Sequence, residues 1–432
     1  MTELRDRLTR LGVLPESAPE GAAAPDGGFQ DAAELLPSAR EVSTPHGKCV
    51  LLESRWPAGA AHGGERLSDL AGPVGHALAT LGGADLAADL DLAGALFLDV
   101  ESTGLGAGAS TYAFLVAYGR LEREGFRIRQ LFLRGPEEEH AFVHLLSEAF
   151  EGCRLLVTFN GRSFDLPLLH TRFILQKRPL ELLPVPHVDL MWPARRIWRH
   201  RLPSCALGSL EQHLLGYRRT GDVPGHEIPG LYLAYLQTGD ASPLAPVVSH
   251  NALDVLSLAS VAIRIRRTLA AQPSDAGARV TISHPEDWHG VGCCREAFGD
   301  LGGAEEAYRA AAQLRADGAE ERTSGAARAR SAARRALSRL YKRQRRWTAA
   351  RDLWKELATA PSADGVYPFE ELAKRLEHQD RDYRGALALV ESALEQLRAG
   401  ELQPRRARGR LLSTLEHRRA RLRRKVDPGE RP

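Results

Sequence analysis

The order of apolar and polar positions changes character along this chain. From Ala95 onward, short apolar runs of strand type appear: ALFLDV, then, after a Gly-rich turn, TYAFLVAYGRL and FRIRQLFLR joined by EREG. They predict three neighbouring strands. The stretch EEEHAFVHLLSEAF, residues 137–150, has helical spacing with acids in its first turn, where they suit the helix dipole. LLVTF then reads as a buried strand, and DLPLLHTRFIL opens a second helix. SLEQHLLG ends at Gly216 as a short helix closed by glycine, and residues 245–268 form a long, mostly apolar helix. Leading strands, intercalated helices and a long closing helix indicate an α/β layer fold. Many unrelated functions share that layout, so it implies none.

After Gln272 the texture shifts to Ala, Arg, Leu and Glu with helical periodicity. AEEAYRAA (304–311), WTAARDLW (347–354) and YRGALALV (383–390) resemble one another, each preceded by a polar turn and another helix; the last two are offset by 36 positions. A period near ~34 residues predicts stacked helix pairs of tetratricopeptide type. An irregular helical bundle is the plainer alternative. Residues 1–90 hold an amphipathic start, an Ala/Gly/Pro-rich stretch and segments such as GKCVLLESRWPAG that suit a small hairpin. The expected organisation is a partly ordered N-terminal appendage over 1–90, an α/β domain over 91–272 and helical repeats with a basic tail over 283–425.

Charge and cysteine content narrow the setting. The formal net charge is only +3, but from Gly318 onward Arg and Lys outnumber Asp and Glu. The tail, with RRARGR and RRARLRRK, is therefore the electrostatic candidate for nucleic acid, although Arg-rich solvated helix faces are commoner. Five cysteines form no CxxC pair, and an odd count does not suit a disulfide framework. No run approaches the ~18 apolar residues of a membrane span, and no signal-peptide pattern opens the chain. A cytoplasmic protein with no membrane partner is expected.

Three acidic motifs stand at element ends. In LFLDVESTGL, Asp99 and Glu101 lie two apart on a strand and project from one face ~6 to 7 Å apart, close enough to share a hard cation. In TFNGRSFDLPLL, a strand enters a turn with Asn160 and Gly161, and Asp165 begins the next helix. In VVSHNALDVLSLA, His250 and Asp254 lie four apart on one helix face. Each alone has an ordinary explanation: a solvated strand end, an N-cap, an i,i+4 pair. The third is the least ordinary, because a His and an Asp among Val, Leu and Ala need partners. His187 and Asp189 in PHVDL read as supports of the fold or a groove, and His226 reads as part of a turn. Cys293 and Cys294 read as small core residues.

Taken together, DVESTGL, FNGRSFD and HNALD resemble the three exonuclease motifs of the DEDD group in the ribonuclease H-like superfamily. VDLMWPARR, LGSLEQHLLG, VPGHEIPG and HNALDVLSLA resemble the YprB-like family of bacterial ribonuclease H-like proteins, over about residues 45 to 270. The resemblance implies a ribonuclease H-like mixed sheet flanked by helices, followed by the all-α tetratricopeptide-like region. It implies a two-metal site of Mg²⁺ or Mn²⁺ in which Asp99 bridges both ions, Glu101 and Asp254 complete one, and Asp165 supports the other. It also implies nucleotide contacts from Thr103, Gly104 and Leu105. Asn160 either orients substrate or merely makes the turn. One subtype of the group has His five positions before the last Asp and the other has Tyr four before it; here His250 stands at the Tyr spacing. The imidazole can bind or deprotonate the attacking water. The expected activity is a metal-dependent 3′–5′ exonuclease on DNA or RNA, its repeats open to a protein partner. A structure-specific endonuclease and a nucleic-acid-binding scaffold are the rivals.

Overall fold

The computed structural model of the chain describes residues 39–84, 90–104, 106–273, 282–314, 324–359, 365–400, 402 and 408–427. Leu105, residues 1–38 and the first three residues of RRARGR lie outside the described residues. The chain divides into two compact units, one comprising residues up to Arg195 with Leu202–Arg267, the other Arg196–Arg201 with Thr268–Pro432.

Among the described residues the first unit holds nine strands: β1 (Ala39–Thr44), β2 (Gly47–Trp56), β3 (Ala61–His62), β4 (Glu65–Arg66), β5 (Leu96–Ser102), β6 (Ala113–Glu122), β7 (Gly125–Phe132), β8 (Leu156–Thr158) and β9 (His187–Asp189). Seven form one mixed sheet in the order β1-β2-β7-β6-β5-β8-β9, with β5, β8 and β9 parallel and the rest antiparallel; β3 and β4 make a separate small hairpin. The sheet starts at Ala39, well before residue 91, where composition alone placed the boundary. Cys49, Val50, Leu51 and Leu52 of β2 are all buried, so the β1–β2 hairpin is the edge of the main core rather than an appendage.

Helices α1 (His76–Gly82), α2 (Glu139–Phe150), α3 (Asp165–Leu175), α4 (Met191–Trp198), α5 (Leu207–Leu210), α6 (Ile228–Thr238) and α7 (Ala245–Ala270) follow in order, with a π-helical turn over Glu211–Leu215 closing at Gly216 in the left-handed region. The parallel strands β5 and β8 need a crossover, which α2 lies within; α3 crosses from β8 to β9. The helix over Ser242–Ala270 is long and apolar enough to cross a membrane by length and composition. Its apolarity is used inside the fold: Val247, Val255, Leu256, Leu258 and Ala259 are fully buried.

The second unit is all helical: α8 (Pro285–Ala297), α9 (Leu301–Gln313), α10 (Ser324–Arg343), α11 (Trp347–Thr359), α12 (Tyr367–Arg375), α13 (Tyr383–Ala399) and α14 (Arg408–Val426). WTAARDLW and YRGALALV open α11 and α13, whereas AEEAYRAA begins three residues into α9, so the three helices match when counted from their first residues and the quoted segments do not. Ala304, Ala350 and Ala386 are all buried, and so are Tyr308, Trp354 and Val390 four positions on. Asp300 and Asp382 cap α9 and α13 through Gly303 and Gly385, each at 2.8 Å. The basic run on α14 is largely engaged inside this unit. Arg418, Arg421 and Lys425 all reach Glu377, which is buried, at 3.1, 2.6 and 2.9 Å, and Arg423 reaches Glu391 at 2.6 Å. A buried carboxylate needs such partners, so these cations fasten a helix rather than line a free basic surface.

Candidate active site

β5 leaves the core halfway along its length. Leu96, Phe97 and Leu98 are fully buried, whereas Asp99 and Glu101 are partly exposed and share one face by the strand's two-residue period. α7 supplies Asp254 and His250. It lies close to the sheet because β6 carries Gly119, where a Cβ would fall 2.7 Å from Val255 Cγ1. A polar chain fixes the register between them. The Gln130 amide on β7 donates to the Val248 carbonyl at 2.9 Å and to Asn251 Oδ1 at 3.0 Å, and Asn251 Nδ2 donates to Asp99 Oδ2 at 2.8 Å. Asn251 is fully buried, so its amide has no solvent alternative.

Asp165 opens α3 and is 9% exposed. The turn before it is shaped by Asn160, at φ 65°, and by Asp189. Asp189 accepts N–H bonds from Asn160 at 2.7 Å, Met191 at 3.1 Å and Arg162 at 3.3 Å, which makes it the support its sequence position suggested. Gly161 is required there, since a Cβ would fall 2.8 Å from Asp165 Oδ2. His187 Nε2 pairs with Thr158 Oγ1 at 2.8 Å, and burial pushes its pKa down to about 4. Thr103 Oγ1 accepts the Tyr112 N–H at 3.0 Å, and the Gly104 carbonyl accepts from Ser102 Oγ at 2.7 Å, so these side-chain and carbonyl groups tie the loop together. Arg172 fastens the same loop by donating to the Ala109 carbonyl at 2.7 Å while paired with buried Glu139.

The acids disturb one another. Burial first, then Asp254 and Glu101, holds Asp99 well above the usual carboxylate range, against the opposing Asn251 hydrogen bond. Burial, with Asp254 and Asp165, pushes Glu101 up to about 8. Asp165 is raised by burial, then by Asp99 and Asp189, and Asp254 is raised by burial against the pull of Arg219 and His250. Arg219 is the cation that offsets them. It grips buried Glu211 at 2.5 and 2.8 Å, donates to Asp254, and lies 3.6 Å from Asp222. Its own pKa is raised by these carboxylates against burial. Donor atoms of Glu101, His250 and Asp254 lie within 4.8 Å of one another, a set that fits one divalent cation.

Sequence reasoning did not find Arg219, Asp222, Glu211 or the role of Asn251. Asn251 sits inside HNALD and was within reach of a burial argument. Arg219 and Asp222 lie in a loop, 35 and 28 residues from the helix positions they meet, and loop sequence carries no periodicity to reveal the fold-back.

A model of the RNase H superfamily matches residues 96–266, which contain the four acids and His250. The chain is also 32% identical over 302 residues to the uncharacterized protein YprB of Bacillus subtilis (strain 168), covering 69% of this chain and 68% of that protein. The chain belongs to the family of YprB, and its residues 96–266 match the RNase H superfamily.

Proposed function

We propose that the chain is a metal-dependent nuclease that hydrolyses phosphodiester bonds from a 3′ end and releases 5′-mononucleotides. Its membership of the RNase H superfamily supports a hydrolase acting on nucleic acid. The observation that carries the reading is the gathering of Asp99, Glu101, Asp165 and Asp254, each held above the usual carboxylate range first by burial, with Arg219 the cation drawn into the cluster. Carboxylates raised in this way suit positive charge brought from outside. Asp99, Glu101 and Asp254 would hold one Mg²⁺ or Mn²⁺ ion, and Asp99 with Asp165 a second. Ions held there would supply a more acidic water at neutral pH and positive charge for the leaving oxygen. Asn251 keeps Asp99 aimed, Gly161 makes room for Asp165, and His250 completes the catalytic set. The loop of Thr103 and Gly104, with Leu105, is where the terminal nucleotide would lie. The helical unit, with repeats of tetratricopeptide type, would engage a protein partner, in a cytoplasmic setting.

Incubating the purified chain with Mn²⁺ or Mg²⁺ and end-labelled DNA and RNA oligonucleotides tests this. Stepwise shortening that stops at a blocked 3′ end supports an exonuclease. Cleavage of the blocked substrate supports an endonuclease, and binding without cleavage supports a scaffold. Asp99→Asn is expected to lower turnover by orders of magnitude; an unchanged rate would overturn the site.

A further inference from the structure

The two ring nitrogens of His250 face different company. Nδ1 lies 2.7 Å from Asp222 Oδ1, while Nε2 lies 3.8 Å from Glu101 Oε1 and 3.5 Å from Asp254 Oδ2. An ionised carboxylate only accepts, so the short contact assigns the proton to Nδ1 and leaves a lone pair on Nε2. Arg219 Nη1, a donor 3.2 Å from Nδ1, suits the opposite tautomer, but the Asp222 contact is the shorter by 0.5 Å and decides for the proton on Nδ1. Its hydrogens have Glu211, Asp254 and Asp222 as acceptors. The gaps from Nε2 to the two carboxylates exceed hydrogen-bond range. Three candidate ligand atoms, one nitrogen and two oxygens, therefore converge within 4.8 Å of one another. A cation satisfies all three at once.

The nitrogen matters for which cation. Mg²⁺ and Ca²⁺ take oxygen ligands, whereas imidazole suits Fe²⁺, Ni²⁺, Cu²⁺ and Zn²⁺, and Mn²⁺, the hardest of the first-row ions, accepts a nitrogen more readily than Mg²⁺ does. We propose that Glu101, His250 and Asp254 bind one divalent first-row transition cation, for which Mn²⁺ is the probe, in preference to Mg²⁺, with His250 Nε2 as a direct ligand. Asp222 is the positioning residue: it holds the tautomer that exposes the Nε2 lone pair, as carboxylates behind metal-binding histidines do. This deepens the nuclease reading and rests on it for the use of the ion, but the binding is measurable without any cleavage. The odd spacing of His250 follows, because a residue one turn before Asp254 on the same face can share an ion with it.

The test uses the full chain stripped with a chelator and titrated with Mn²⁺ alone and against Mg²⁺. Calorimetry reads affinity, and pulsed electron paramagnetic resonance reads whether a nitrogen nucleus is bonded to the bound Mn²⁺. Wild type is expected to show directly bonded nitrogen and tighter Mn²⁺ than Mg²⁺ binding, and His250→Ala is expected to lose the nitrogen signal. Asp222→Asn, which retains the imidazole, is expected to weaken Mn²⁺ binding about 10- to 100-fold and Mg²⁺ binding less, and it decides the matter if His250→Ala does not fold. Bound Mn²⁺ without nitrogen coupling in wild type, coupling that persists in His250→Ala, or wild-type affinity in Asp222→Asn overturns the proposal. Nitrogen coupling without cleavage of any oligonucleotide keeps the metal site and removes the nuclease reading; cleavage without nitrogen coupling does the reverse.

Discussion

Asp99→Asn separates stability from activity at the residue scale. The side chain keeps its shape and can still meet Asn251, but the charge that burial, Asp254 and Glu101 oppose is gone. Without metal, the variant is expected to melt at a higher temperature than wild type, and with saturating Mn²⁺ the order should narrow or invert; scanning fluorimetry with and without the ion checks both. The pH dependence has two limbs of opposite sign. Glu101, raised from 4.5 to about 8 in the fold, contributes stability that is full below 4.5 and is lost as pH rises toward 8. His187 is lowered from 6.5 to about 4, as is His289 in the helical unit, so each contributes stability present above 6.5 and lost as pH falls toward 4. Each such proton tilts stability by ~1.4 kcal/mol per pH unit. Melting curves of the metal-free chain should therefore peak between the limbs, and Mn²⁺ should lift the alkaline limb alone. The acids and His250 were legible in sequence because three short motifs carry them. Arg219 and Asp222 were not, because their function lies in contacts across loops.

At the element scale, the approach of α7 to the sheet depends on a missing side chain. Gly119→Ala places a methyl against Val255 and Phe126, where a Cβ would fall 2.7 Å from each. Overpacking of this kind costs about 1–3 kcal/mol. It should also weaken metal affinity, since His250, Asn251 and Asp254 ride on the displaced helix. Denaturant unfolding and Mn²⁺ titration of the same variant measure the two effects, and a stability loss with wild-type affinity would show that α7 can shift without carrying its side chains off the site. The strands β5, β6 and β7 and the helix α7 were readable from their apolar runs. The membership of β1 and β2 in the same sheet was not, because alternation reveals a strand but not its neighbour: β2 pairs with β7, about 80 residues later.

At the scale of the whole molecule, the boundary between an α/β region and a helical one was plain from composition, but the path of the chain was not. Residues Arg196–Arg201 belong to the helical unit, where Gly290 of α8 lies against the Ile197 backbone and Arg201 pairs with Asp287 at 2.8 Å. Ile197 and Trp198 are 0% and 2% exposed. A chain ending at Ser283 would strip Ile197 of α8, so it is expected to aggregate, as light scattering would show; a monodisperse, cooperatively melting product would refute this. Another consequence lies in synthesis. The Asn251–Asp99 hydrogen bond spans 152 residues. Translation at about 5–20 residues per second puts roughly 8 to 30 s between the two halves of that contact. During that interval the ribosome holds a chain whose strand acids have neither Asp254 nor His250 beside them. Production of the protein thus builds in a delay, with the cutting centre proposed above incomplete until most of the first unit has been made.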